Sequence, residues 1–139
     1  MIFSDVICPV KFSYARILLG PNPKILDIGC GNDSSNLTRK WFKDCYYVGV
    51  DIQGHSNTED SLRKMDEFII VGSDGDGYNK IPDDYFDFII MNHVAEHMMH
   101  PLETIAILSN KLKRGGKFWI AFPSLRSLEL PPATQWCSV

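Results

Sequence analysis

Five short apolar runs constrain the fold of this 139-residue chain more than any other feature: KILDI (24–28), YYVGVDI (46–52), FIIVG (68–72), YFDFIIMN (85–92) and KFWIAFP (117–123). They are close to continuously apolar rather than alternating, which is the pattern of strands buried on both faces. Most of the segments between them have helical spacing. KFSYARILL (11–19) is closed by GPNP, and SSNLTRKWFKD (34–44) puts Leu37 and Trp41 on one face after cap-type residues. SLRKMDE (61–67) reads as a short helix, and SDGDGYNKIPDD (73–84) as a loop from its Gly, Asp and Pro content. PLETIAILSNKLKRGG (101–116) opens on proline, spaces Leu102, Ile105, Leu108 and Leu112 helically, and predicts a helix stopped by Gly115-Gly116. Strands alternating with helices imply an α/β fold, a mostly parallel sheet with helices on both faces.

The length suits one domain with a single core. It divides into an N-terminal helical segment (1–23), the core (24–123) and an irregular tail (124–139) in which Pro131-Pro132 blocks regular structure. With 14 Lys+Arg against 17 Asp+Glu and no basic run, the chain gives no electrostatic case for nucleic acid or an anionic membrane. The apolar start lacks a basic n-region and is interrupted by Asp5, Pro9 and Lys11, so neither a signal peptide nor a membrane span is expected. Cys8, Cys30, Cys45 and Cys137 show no CxxC pairing, which fits dispersed thiols in a cytoplasmic protein. Trp41, Phe42, Phe86, Phe88 and Trp119 fit core positions.

In open parallel sheets the ligand lies beyond the carboxyl ends of the strands. The residues to weigh are therefore Asp27–Asp33, Asp51–Gln53, Ser73–Asp76, Asn92–His97 and Pro123. The first group, DIGCGND, sits on a strand-to-helix turn, where glycine lets backbone approach a ligand and a helix N-terminus favours negative charge. Asp51 ends the second strand about 20 residues further on, at the spacing of an acid that accepts ribose hydroxyls. A dinucleotide fingerprint shares this plan but asks for a third glycine, where Ser34 stands here.

Read in order, these pieces resemble the class I S-adenosylmethionine-dependent methyltransferases, in particular their type 11 group. ILDIGCGN is similar to the family's first motif and VGVDI to its second-strand motif. The stretch from IPDDYFDFIIMN through HVAEHMMHPLETIAILSNKLKRGG to KFWIAFP is similar to its fourth strand, following helix and fifth strand. The resemblance covers residues 24–123 and implies a Rossmann-like, doubly wound sheet with S-adenosylmethionine as cofactor. It implies that Asp27, Gly29 and Gly31 line the methionine part, that Asp51 holds the ribose and that Ile52 touches the adenine. Asp74 or Asp76 would meet the adenine amino group, and Asn92 would lie beside the sulfonium. Asp33 replaces the family's frequent third glycine and is expected to cap the next helix instead.

HVAEH (93–97) also fits the H-x-x-E-H string of one zinc-protease class. Zinc needs both histidines on one helix face and a third protein ligand. Here His93 directly follows a strand, Pro101 limits any helix, and the family carries an apolar-Glu-His segment at this place without metal. No metal is expected. His93 is a candidate general base or a corner residue, and His97 is expected to be structural. The expected function is methyl transfer to a small-molecule acceptor of unidentified kind. An NAD-type oxidoreductase and a non-catalytic cofactor-binding or interaction domain stay open as alternatives. The chain is expected to be truncated after the fifth strand, leaving a sheet edge through which a homodimer could form.

Overall fold

The computed structural model describes residues 8–54, 57–72, 74–123 and 136–138. Residues 1–7 of the expected N-terminal segment, Ser73 of the third candidate cluster, and Pro131-Pro132 of the tail lie outside the described residues.

The elements follow the expected alternation. They are α1 (Val10–Leu18), β1 (Lys24–Ile28), α2 (Ser34–Trp41), β2 (Tyr46–Asp51), α3 (Glu59–Arg63), β3 (Glu67–Ile70), β4 (Phe86–Asn92), α4 (Pro101–Ser109), β5 (Leu112–Pro123) and β6 (Trp136–Ser138). The sheet order is β3-β2-β1-β4-β5-β6, with β1 to β5 parallel and β6 antiparallel to β5. Strand order reverses between β1 and β4, so a crevice opens above these two strands, at the place where such sheets bind ligands.

Alternate residues of the strands feed two cores, one on each face. Leu26, Ile28, Val48, Val50, Ile89 and Met91 pack with Leu108 of α4 on one side. Ile25, Tyr47, Phe88 and Ile90 pack with Phe12 and Ala15 of α1 and with Phe42 on the other. Phe12 meets Phe42 edge-on with ring centroids 5.5 Å apart. Of the expected core aromatics, Phe42, Phe86 and Phe88 are buried, while Trp41 and Trp119 lie partly buried against the second core.

Two expectations about local structure need correction. The helix predicted over 101–116 ends at Ser109, and Leu112–Gly116 already belong to β5. The reason is tertiary. The carbonyl of Lys111 accepts from the Tyr85 and Phe86 amides, and the buried Lys111 ammonium lies 2.6 Å from the Asp83 carboxylate. These bonds turn the chain into register beside β4, and the register shifts between Phe86 and Phe88. The buried face of α4 is then Thr104 and Leu108, with Leu102 left 80% exposed. The tail, expected to be irregular, contributes β6, which pairs with Ala121, Phe122 and Pro123. The edge of β5 expected to be bare is covered along those residues.

The segment over 73–84, expected as loop, buries Tyr78 and Ile81 and makes a 3-10 turn at Tyr78–Lys80. Among the described residues no helix is long and apolar enough to cross a membrane.

Gly49 marks a tight point on β2, beside β1. A Cβ there would lie 2.6 Å from Met65 Sδ and 2.7 Å from Cys30 Sγ. Gly49→Ala is expected to cost about 1–3 kcal/mol through overpacking, read as a lower midpoint in thermal denaturation. An unchanged midpoint would contradict the packing described.

Candidate active site

A cleft of about 560 Å³ opens at the carboxyl ends of β1, β2 and β4. That volume lies within the range of about 300–1,000 Å³ typical of small-molecule sites. At its floor is Asp27, near the end of β1 and 2% exposed. Its Oδ2 accepts from Ser34 Oγ and from Tyr47 OH, both at 2.5 Å. Burial pushes the Asp27 carboxyl above the ordinary carboxylate range, while Lys11 and the two hydroxyls pull it back. The Tyr47 phenol is held well above its usual value by burial and by the Asp27 charge.

The chain leaves β1 through Gly29, whose φ of 73° favours glycine. Its amide donates to the Val50 carbonyl at 2.7 Å, tying the turn to β2. A Cβ on Gly29 would lie 2.3 Å from Val94 Cγ2, so no other residue fits while Val94 stays in place. Gly31 follows on the same wall of the cleft. Asp33 occupies the residue before α2 but makes no side-chain cap there, and Thr58 Oγ1 donates to it at 3.4 Å.

Asp51 ends β2 and faces the cleft, its Oδ1 accepting from the Ile52 amide at 2.7 Å. Ile52 beside it is 53% exposed and also lines the cleft. Of the two candidate acids after β3, Asp74 lines the cleft, and its Oδ1 accepts from the Asp76 amide at 3.1 Å. Asp76 is exposed and is not among the lining residues. Tyr78 is buried on the same side, and burial together with Asp51 pushes its phenol up to about 12.

Asn92 closes β4 at the mouth of the cleft. His93 follows in the left-handed region at φ 57°, a conformation that non-glycine residues adopt rarely, Asn, Asp and His more often than others. Its amide donates to the Ala121 carbonyl at 2.8 Å. Glu96 stands between the two imidazoles, 3.4 Å from His93 Nδ1 and 4.0 Å from His97 Nε2. His93 borders the cleft, but its Nε2 is buried. Residues Ala95–His97 form one 3-10 turn rather than the helix a zinc H-x-x-E-H requires. Among the described residues no group of three His, Cys, Asp or Glu side chains could hold a metal ion.

The structure thus brings Asp27, Gly29, Gly31, Asp51, Ile52, Asp74, Asn92 and His93 to one cleft. Sequence reasoning missed the hydroxyl pair. Ser34 entered as a cap-type residue and as a departure from a glycine pattern, and Tyr47 only as a strand former. A tyrosine inside a run buried on both faces was the available signal, because its hydroxyl must find a partner.

Residues 8–138 match the model of a family described as a methyltransferase domain. The chain belongs to that family. A SAM-dependent methyltransferase from Archaeoglobus fulgidus is 25% identical, with a TM-score of 0.60, over 84% of this chain and 52% of its own. The plantazolicin methyltransferase BamL, solved with a triazolic desmethylPZN analog and SAH, gives a TM-score of 0.68 at 17% identity, over 86% of this chain and 47% of its own. The [4+2]-cyclase SpnF gives 0.62 at 22% identity, over 78% and 41%. The last two likenesses concern the fold alone, and SpnF carries a different reaction in its description. Comparison with curated sequences finds no match. The methyltransferase domain spans about half the length of the solved structures it matches.

Asp27 gives a test in which stability and binding part company. Its folded pKa is raised, so folding favours the protonated form and this group's contribution to stability falls as pH rises through the folded value. Asp27→Asn removes that loss. At pH 7 its melting temperature is expected to equal or exceed that of the unsubstituted domain, with the gap closing below pH 4 as the native carboxyl protonates in both states. Its affinity for S-adenosylhomocysteine is expected to fall at least tenfold, since hydrogen bonds to a charged partner are worth about 1.5–3 kcal/mol. A strongly lowered melting point at neutral pH would contradict the assignment of Asp27 as a carboxylate whose burial costs stability.

Proposed function

We propose that this domain transfers the methyl group of S-adenosylmethionine to a small-molecule acceptor by direct displacement, with the cofactor in the cleft above β1, β2 and β4. The observation that carries the reading is the joining, on neighbouring strand ends, of the Gly29 turn with the carboxylates of Asp27 and Asp51 at the reversal of strand order. Asp27, Gly29 and Gly31 take the methionine part, Asp51 the ribose hydroxyls, Ile52 and Asp74 the adenine, and Asn92 the neighbourhood of the sulfonium.

The bound cofactor supplies an activated methyl group. What the protein supplies is placement, because the acceptor must approach in line with the bond that breaks. No nucleophilic side chain is required, and a base is needed only where the acceptor carries a proton that has to leave. His93 is assigned to that proton. In the arrangement described its Nε2 is buried, so the imidazole must rotate before it can act. The acceptor side of the cleft, built from His97, Met98, Met99, His100 and Thr104, carries no carboxylate, lysine or arginine among its described lining residues. That favours an uncharged acceptor of small size. Cys8, Cys30 and Cys45 are free thiols, which supports residence in the cytoplasm.

Calorimetric titration with S-adenosylmethionine, S-adenosylhomocysteine and NAD tests the cofactor. The expected result is binding of the first two and a raised melting temperature with S-adenosylhomocysteine, which binds the folded state. Asp51→Ala is expected to weaken that binding by about 2–4 kcal/mol, because two charge-assisted hydrogen bonds are lost, with little change in the melting point of the free protein. Binding of NAD without S-adenosylhomocysteine would overturn the reading in favour of a nucleotide-dependent oxidoreductase.

A further inference from the structure

α1 is a helix with two apolar sides. At 3.6 residues per turn, Phe12 and Ala15 fall on one side, with Cys8 and Leu19 just beyond the helix ends, and these residues pack into the core that also holds Ile25 and Phe88. Val10, Tyr14, Ile17 and Leu18 fall on the other side, and each is between 60% and 83% exposed. Spacing of i, i+4, i+7 and i+8 is the stripe of a helix that buries that face. Among the described residues, only the first side is covered. The four exposed side chains present on the order of 500 Å² of surface, toward the upper end of the about 300–600 Å² of the largest patch on a typical monomer, which is often functional. That is more than half of the roughly 800 Å² that each partner gives to a standard interface.

Charge and pattern decide what fits this stripe. α1 carries two cations, Lys11 and Arg16, and no acidic residue. The Lys11 ammonium lies 4.9 Å from the centroid of the Phe12 ring, and the Arg16 guanidinium 5.1 Å from that of Trp41. Phe12 is within the core and Trp41 packs against it, so both cations are drawn toward the covered side of the helix. The stripe itself carries no charge, which gives an acidic peptide or an anionic lipid surface nothing to pair with. A copy of the same stripe meets it without repulsion. The stripe is also symmetric along the helix. Tyr14 is the middle residue of Val10–Leu18, with Val10 four residues before it and Leu18 four after. A twofold axis at Tyr14 sets Tyr14 against Tyr14, and Val10 against Leu18 of the second copy, which is the self-complementary contact that an isologous dimer requires. Val10, Tyr14 and Leu18 form an i±4 ridge, and two such ridges interlock at a crossing angle of about −50°, the commonest helix packing.

We propose that the outward face of α1 is a dimer interface, with two copies of this chain packing α1 against α1 about a twofold axis at Tyr14. The surface is a helix face, separate from the outer edges of β3 and β6. It holds whatever the cleft binds.

Sedimentation velocity over a concentration series tests it, on the purified chain and on Tyr14→Glu and Tyr14→Lys, with thermal melts confirming that each variant is folded. The unsubstituted chain is expected to pass from one to two chain masses as concentration rises. Each variant is expected to dimerise at least about tenfold more weakly, since a central tyrosine is replaced by a charge that meets its own copy. An equimolar mixture of the two variants is expected to restore the dimer, because opposite charges then meet at the axis. Ile17→Gln, at the most exposed position of the stripe, gives a second and uncharged test, with weaker dimerisation and an unchanged melt expected. A chain that stays monomeric throughout would overturn the proposal. So would variants that dimerise as well as the parent, which would place the contact elsewhere, and a mixture that stays monomeric, which would remove Tyr14 from the axis. Vesicles of phosphatidylglycerol and phosphatidylcholine are the remaining arm: a monomeric chain that cosediments with them would overturn the dimer in favour of a lipid surface.

Discussion

A carboxylate buried near the end of the central strand sets the terms for much of this domain. Asp27 is taken out of water, and an isolated charge in that position would cost several kcal/mol. Two hydroxyls offset part of that cost, one from α2 and one from β2. Each bond therefore also ties an element to the end of β1: Ser34 the start of α2, and Tyr47 the strand β2. β1 is flanked by β2 and β4, so whatever orients its end orients the crevice between them. The binding group proposed above and the structural clamp are one side chain.

How much of this was legible in the sequence follows from the range of the interactions. β1, β2 and β4 were legible because burial on both faces writes a nearly continuous apolar run, and β3 and β5 carry such runs although they are only partly buried. Gly29 and Asp51 were legible because a strand end places them at the crevice whatever else the fold does. The start of β5 was not. Leu112 continues the spacing of α4, and only the Lys111 bonds to Tyr85, Phe86 and Asp83 show that the chain has already joined the sheet. Nor could the sequence separate Asp74 from Asp76, since both are ordinary turn formers and only the path of the turn decides which carboxylate faces inward. Tyr47 and Lys11 reach Asp27 from other elements, and no local pattern announces that.

The two walls of the cleft divide the work unevenly. The wall from β1, β2 and the segment after β3 carries charge, which suits a ligand whose groups are fixed. The wall from the corner after β4 carries imidazole and thioether groups, and Met99 and Leu102 stay largely exposed nearby. A displacement reaction asks that second wall to hold an acceptor in line rather than to activate it. Its residue types can consequently vary with the acceptor while the first wall stays as it is. Under the function proposed above, the strand-end acids speak to the cofactor, and the acceptor falls to a wall with far fewer fixed requirements.

The contact between Gly29 and Val94 links these walls physically. The valine methyl fills the space in which any Cβ at position 29 would lie, so the turn after β1 and the corner after β4 are fitted to one another. The two positions are therefore not free to vary independently. A smaller residue at 94 would open room for alanine at 29, though a positive φ would still disfavour it. A bulkier residue at 94 would press on backbone that has nowhere to retreat, because the Gly29 amide is already bonded to Val50. In related sequences the residue at the 94 position should track the one at the 29 position, a historical constraint imposed by a single methyl group.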